Sequence, residues 1–588
     1  MIKLLPRLAV TVCLIAVYSY SGAQNIAHPP LYNVGMVSSN GGFALAQAGA
    51  KSVDFVSSDC KTIKKRVSLQ QTPSGITTDG KKIFVTTADA DGQLIVISAD
   101  GTIEKSIPVG HYPIAPIVLG GKILLMNQFE NAVSEIDPKQ GKVLRRVIVT
   151  REPKAAVASA DGKYLFVANF LPAGQANLEY VAAEVSIINL SNFTVEKNIK
   201  LANGSNALRG MALTADGKYV LVSHNLGRFT VPTSQLQQGW MNTSAMSVID
   251  VATHNYIGAV VLDDPDRGAA GIWGIQTTPE NIIVTHSGTH DISVINYPKF
   301  IEKLTNYKGS VETLAYDLRF MYGLRKRIPL KGNGPRNFSI IDNKAYIPTY
   351  FADILNIYDL GGDELSSVNL NANRTETLAQ RGERIFNDAQ YCFQNWQSCN
   401  GCHPGDGRTD GMNWDLMNDG IGNPKNCKSL LFSIQTPPSM ISGIRASAEI
   451  ANRKGFTHIQ FYEIPEEWAT WVDEYTKGLQ PVPSPYLVNG KLSEKAERGR
   501  KVFEKFECDN CHSGIYYTDM KMYRIGEDIE FEAGWDTPTL REVWRTAPYL
   551  FDGRAATMRD VFEVHRHGIT KKITSKEIDE LVEYVNSL

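Results

Sequence analysis

From about Phe43 to Leu370, short apolar runs alternate with polar turns in a recurring order. A turn such as Asp79-Gly80-Lys81 opens the run Ile83-Phe84-Val85, and a second polar turn leads to Leu94–Ile97. A third run rich in Thr, Ile and Val follows, and a Pro-containing segment returns the chain to the next turn. Apolar runs this short, bounded by Gly, Asp and Asn, predict strands. Equivalent turns stand at Gly120-Gly121-Lys122, Asp161-Gly162-Lys163, Asp216-Gly217-Lys218 and Asp342-Asn343-Lys344. The first three starts, Lys81, Lys122 and Lys163, are 41 residues apart each time. Four short strands in roughly 40 residues is the period of a β-propeller blade.

Second-strand copies at Glu184–Asn189, Met246–Asp250, Asp291–Asn296 and Asp353–Asp359 extend the count. Insertions at Leu171–Ala183, Arg228–Ala245 (with Trp240) and Phe300–Arg327 lengthen the later repeats, the last reading as a packed surface helix. A first blade beginning near Gly42 gives seven blades in all. Leu31–Ser38 is expected to supply a strand to the last blade and close the ring. The pattern resembles the YVTN family of seven-bladed propellers, named for a strand that reads Phe166-Val167-Ala168-Asn169 here.

Near Asn373 the β-branched alternation gives way to helix formers. Leu378–Phe386 and Lys495–Phe503 share A-x-R-G-x-x-[IV]-F, with Ala379 and Phe386, and again Ala496 and Phe503, seven residues apart on one helical face. The module is therefore duplicated. Pro481-Val482-Pro483-Ser484-Pro485-Tyr486 separates the copies as a stiff, non-helical linker.

Each copy carries C-x-x-C-H: Cys399, Cys402 and His403 in the first, Cys508, Cys511 and His512 in the second. Two thiols at this spacing reach both vinyl groups of one porphyrin, and the adjacent histidine lies under the iron. A thioredoxin or zinc site would need a βαβ setting or a second Cys pair nearby, and neither copy has one. The expected fold is multidomain: an all-β seven-bladed propeller over 30–370, then an all-α module of two c-type cytochrome units, 373–480 and 487–588. Two covalent haem c groups are the expected cofactors.

A net charge of −2 gives no reason to invoke nucleic acid. Lys3 and Arg7, the apolar Leu8–Tyr20 and the small residues Ser21-Gly22-Ala23 read as a secretory signal over Met1–Ala23. No later run is long enough to span a bilayer. Export to a bacterial periplasm or cell surface fits haem attachment outside the cytoplasm. Cys60, Cys392 and Cys427 remain, and a Cys392–Cys427 bridge or buried thiols are the alternatives.

Thr537-Pro538-Thr539-Leu540-Arg541-Glu542-Val543 and Thr546–Met558 resemble the corresponding run of the di-haem cytochrome c peroxidases and MauG enzymes. The resemblance implies reaction at the His403 haem and electron transfer through the His512 haem. It also implies a distal ligand about eight residues after Ala556-Thr557-Met558, which lands on His565, with His567 two further on. His565 is the first choice, Met558 the fallback. Above the first iron the candidates are His458, Gln460, Met412, Met417 and Met440, led by His458. The family's His-Asp-Gly reads Phe551-Asp552-Gly553, which removes one proton carrier. Trp396 and Trp414 are candidates for an electron path or for packing.

His224, His286 and His290 follow propeller strands and either line one mouth, binding a metal, a ligand or the haem module, or are satisfied strand-end histidines. The expected protein is an exported di-haem oxidoreductase, peroxidase-like, with a small electron-carrier protein as partner and a peroxide or a protein as substrate. Its rivals are a non-catalytic electron carrier or redox sensor, and a propeller binding protein whose haems report redox state.

Overall fold

The computed structural model describes residues 28–230, 241–416, 424–525 and 532–588. The expected signal sequence over Met1–Ala23, Met417 and Trp240 lie outside them. Twenty-eight strands form seven four-stranded antiparallel meanders, each built from consecutive strands. Blade 1 runs from Asn33 to Ser68, blade 2 from Pro73 to Gly110, blade 3 from Pro113 to Ile148 and blade 4 from Pro153 to Lys200. Blades 5, 6 and 7 cover Ser205–Val261, Ile272–Pro329 and Ser339–Asn369.

The sequence pattern follows from position in the blade. Second strands such as Lys82–Thr87 are buried on both faces between neighbouring blades and read as continuous apolar runs. Outer strands such as Lys142–Ile148 alternate in exposure residue by residue. The core lies between blades: Val53 and Phe55 of blade 1 pack on Ile83, Val85, Ile95 and Ile97 of blade 2. The repeated Asp-Gly-Lys is the turn before a second strand. Asp79 Oδ1 accepts from the amides of Lys81 and Lys82 at 2.9 and 2.7 Å, and Gly80 sits at φ 82°.

Ring closure differs from the expectation. Asn33–Ser39 is the innermost strand of blade 1, not a strand of blade 7. The ends meet by side-chain bonds instead: Ser339 Oγ donates to Met36 O at 2.6 Å and Asn337 Nδ2 to Val34 O at 3.2 Å. Each blade is complete in sequence, so no strand exchange is needed. The third insertion is helical, with α1 (Tyr297–Thr305) and α2 (Val311–Leu314) burying Phe300, Leu304 and Leu314 against blades 5 and 6.

The C-terminal region is helical, with α3 (Leu378–Phe386), the one-turn α4 (Pro404–Gly407), α5 (Ala448–His458) and α6 (Glu466–Lys477) in its first half. The second half holds α7 (Glu494–Lys505), α8 (Met558–Glu563) and α9 (Ser575–Asn586). The shared glycine marks a helix crossing in both. A Cβ on Gly382 would lie 1.8 Å from Trp471 O in α6, and one on Gly499 1.9 Å from Glu580 O in α9. Gly499→Ala is expected to destabilise by about 3 kcal/mol, although alanine is the better helix former by about 1 kcal/mol, because a backbone oxygen cannot yield. Denaturant unfolding checks the sign, and a stabilised variant would contradict the close crossing.

Candidate functional site

Both C-x-x-C-H motifs fold alike. Each begins with a short 3-10 turn, Cys399–Gly401 and Cys508–Asn510, and the histidine amide donates to the first cysteine's carbonyl at 2.9 Å in both. His403 Nδ1 lies 3.1 Å from Arg408 O, and His512 Nδ1 lies 3.1 Å from Tyr517 O, five residues on in each case. A carbonyl on Nδ1 fixes the tautomer and leaves Nε2 to bind a metal. Burial lowers the pKa of both rings, keeping them in the neutral form a ligand needs.

His403, Cys399 and Cys402 line one large cavity. Phe386, Leu430, Ile441, Phe456 and Val472 give it apolar walls, while Lys425, Lys428, Arg445 and Lys454 supply cations against a single carboxylate, Asp536. An apolar slot with cations at its edge suits a flat, dicarboxylate-bearing porphyrin. Amides pin both thiols: Gln460 Nε2 donates to Cys399 Sγ at 3.1 Å, and Asn242 Nδ2, from the propeller, to Cys402 Sγ at 3.2 Å. Gln460 Oε1 is buried in this cavity without a hydrogen-bond partner, an acceptor awaiting a donor. The residues present therefore fit haem c.

The second site supplies a ring on the other side. His567 has its ring centre 6.3 Å from that of His512. Metal–imidazole bonds of about 2 Å on either side of one ion would hold the ring centres a little over 6 Å apart, so the pair fits a haem iron between them. Burial, and then His512, pulls the His567 pKa down to about 4. The spacing preferred His565, but the chain leaves α8 at Glu563, and Arg566 takes a left-handed φ of 48°, turning His567 rather than His565 inward. Met558 packs in the core of this unit, beside Val561 and Phe562.

The first site offers no such ring. His458 is exposed, with Nδ1 2.7 Å from Thr457 Oγ1, and does not line the cavity. It lies two positions past the inward-facing Phe456, which puts it on the opposite side of α5. Met412 is buried on the propeller side, its sulfur accepting from Asn206 Nδ2 at 3.3 Å. Gln460 and Met440 do line the cavity.

The two units match residue by residue after α5 and α8. Gln460 N bonds Gly455 O as His565 N bonds Asp560 O, and Tyr462 N bonds Phe456 O as His567 N bonds Val561 O. Phe461 and Arg566 share the left-handed turn. Tyr462 thus holds the place of His567, but its ring packs 5.6 Å from Tyr391 and it does not line the cavity.

Trp396 is buried in the seam with the propeller, where Gly268 approaches its backbone, and it does not line the first cavity. Trp414 lines the first cavity and donates to Asp410 Oδ2 at 2.8 Å; burial pushes the Asp410 carboxyl up to about 7. Thr539 lines that cavity and donates to Tyr516 O at 2.5 Å, and Phe432 and Tyr516 meet across the units at 5.0 Å. All the described cysteines are thiols, so Cys392 and Cys427 are not bridged. Cys427 lies instead at the first site, its sulfur 3.5 Å from His403 Nδ1 and donating to Cys402 O at 3.1 Å.

The propeller shapes the first site; the sequence offered only the three strand-end histidines as contacts with the haem module, not the residues that touch the motif. Arg209 Nη2 donates to Asn400 Oδ1 at 2.6 Å and Asn225 Nδ2 to Gly401 O at 3.4 Å, both inside the motif. Of the propeller histidines, His224 is satisfied at both ring nitrogens, by Asn225 O and Ser247 Oγ, each at 2.8 Å, while His286 bonds Ser293 Oγ through Nε2 at 2.8 Å and its buried Nδ1 has no partner among the described residues. His290 does reach the helical region, 3.0 Å from Asp388. No helix among the described residues is long and apolar enough to cross a membrane.

No model of a known protein family matches the chain. It is similar to the hydrazine synthase gamma subunit of Kuenenia stuttgartiensis, 28% identical over 274 residues, covering 36% of this chain and 77% of the relative. It is also similar to the beta subunit of that enzyme, 25% identical over 233 residues, covering 38% of this chain and 58% of the relative. Among solved structures, Kuenenia stuttgartiensis hydrazine synthase superposes with a TM-score of 0.51 at 20% identity, covering 60% of this chain and 99% of that one. The chain is a seven-bladed propeller joined to a helical region, related in sequence to two hydrazine synthase subunits.

Proposed function

We propose that this chain is an exported di-haem c-type redox enzyme, a reading supported by its two C-x-x-C-H sites and its similarity to two hydrazine synthase subunits. Cys399, Cys402 and His403 hold the first haem, and Cys508, Cys511 and His512 the second. The work is divided as in the di-haem peroxidases and MauG: reaction at the first site, electron transfer through the second, with the propeller as platform. A haem iron supplies one-electron chemistry and an open coordination position for a small ligand.

The observation that carries this reading is the asymmetry of the two sites. His567 stands opposite His512 at 6.3 Å, whereas His403 is the only histidine among the described residues lining its cavity. An iron held between His512 and His567 would serve to pass electrons, whereas one held by His403 alone would leave room for a small ligand. At the first site Gln460 offers its free Oε1 to a donor on the substrate, and the apolar walls exclude water. The name of the relatives makes small nitrogen hydrides the first substrate class to test, and the peroxidase-like division makes hydrogen peroxide the second. A separate electron-carrier protein completes the circuit.

Intact mass of the denatured protein is expected to show two haems in thioether linkage. Electron paramagnetic resonance of the ferric protein should then give one high-spin and one low-spin signal of equal weight. Two low-spin signals would make the chain an electron carrier or sensor and overturn the enzyme reading.

A further inference from the structure

The propeller mouth carries a second feature that the two haem sites do not use. Blades 4 and 5 and the approach to blade 7 each send one cation towards the axis: Lys154, Arg209 and Arg336. Aromatic rings alternate with them. Lys154 and Arg209 lie over Phe170 at 5.7 and 5.9 Å, Arg209 and Arg336 over Trp273 at 4.8 and 4.2 Å, and Arg336 over Tyr350 at 3.7 Å.

Among the described residues no carboxylate lies within salt-bridge distance of a belt cation, although the charges of Asp406 and Glu152 reach Lys154 and Glu383 feels Arg336. Arg209 is buried and donates only to neutral oxygens, those of Asn225 at 3.2 Å, Ile272 at 3.5 Å and Asn400 at 2.6 Å. Lys154 Nζ donates to Gln128 Oε1 at 3.2 Å, and Arg336 Nε is buried with no hydrogen-bond partner. Of the acids whose charge reaches the belt, Glu152 is engaged by Gln128 and Arg545, and Glu383 accepts from the Tyr32 hydroxyl at 2.8 Å. Asp406 is solvent-exposed on the loop after His403, whose Gly405 packs beside Phe170 and Arg545. Burial pulls Lys154 down to about 8, and burial with Arg336 pulls Arg209 down to about 9, the direction of cations short of counter-charge.

A buried cation without a partner is costly, and a fixed guanidinium fork matches an oxyanion. We propose that the propeller mouth binds a small oxyanion between Lys154, Arg209 and Arg336, against the first C-x-x-C-H loop. Arg209 also donates to Asn400 within the motif, so the anion site would adjoin the first C-x-x-C-H loop.

Calorimetric titration of the full holoprotein with inorganic phosphate, at pH 7 and low ionic strength, is expected to find one site per chain. Arg209→Gln and Arg336→Gln should each weaken it at least tenfold, while Lys105→Gln, an exposed residue of blade 2, should leave it unchanged. Absence of binding, or equal binding in all variants, overturns the proposal. Should Arg209→Gln not fold, wild-type crystals soaked in bromide decide: an anomalous peak between the three cations supports the site, and an empty mouth refutes it.

Discussion

Replacing His567 with Ala is expected to convert the second haem from low-spin to a high-spin or water-bound form, while His565→Ala leaves its spectrum unchanged. Three observations on the fold point to that outcome. The His567 ring faces His512 at 6.3 Å, the separation two imidazoles take across one iron. The His567 amide donates to Val561 O at 3.0 Å, tying the loop back onto α8 so that the ring is held before any iron binds. Arg566 at φ 48° and Gly568 at φ 66° make the turn that aims it. Because the first cavity offers no histidine opposite His403 among the described residues, the proposed di-haem protein should show two high-spin signals in place of one in this variant, with both haems still attached. Loss of the low-spin signal in His565→Ala, with His567→Ala unaffected, would reverse the assignment.

The features legible in the sequence were those set by local chemistry. Asp-Gly-Lys marks a blade because Asp79 caps its own turn and Gly80 takes a left-handed φ, and both requirements show in residue type. C-x-x-C-H is local in the same sense, and Gly382 and Gly499 recur because a helix crossing excludes every side chain there. The distal residues were hidden because a single left-handed residue after α8 decides which of two histidines turns inward, and Arg566 does not advertise that conformation. His458 misled because composition cannot tell which side of α5 faces the cavity. Ring closure was misread because one apolar strand fits blade 1 or blade 7 equally until its register is known. The contribution of the propeller to the first site was invisible for another reason: Arg209 and Asn400 are 191 residues apart, and nothing local to either predicts their contact.

Glu542→Ala is expected to cost about 3–5 kcal/mol and to disturb the first haem although Glu542 belongs to the second unit. Its carboxylate accepts from Arg408 Nε at 2.8 Å and Nη2 at 3.0 Å, from Arg545 Nη1 at 3.3 Å, and from the Val482 amide of the Pro-rich linker at 2.7 Å. The Arg408 and Glu542 side chains are 4% and 1% exposed, so removing the acid strands the Arg408 guanidinium and the Val482 amide where water cannot reach them, and leaves Arg545 with Glu152 alone as its acid, at 3.8 Å. Arg408 is also the residue whose carbonyl holds His403 Nδ1, so its displacement should broaden or shift the first haem's signal. Arg408→Met together with Glu542→Ala removes one stranded cation and should be less destabilised than Glu542→Ala alone, which a mere packing defect would not produce. Denaturant unfolding of the holoprotein measures both variants. A loss below about 1 kcal/mol for Glu542→Ala would place this ion pair among those that contribute little, and the two haem units would then be joined by their packing rather than by charge.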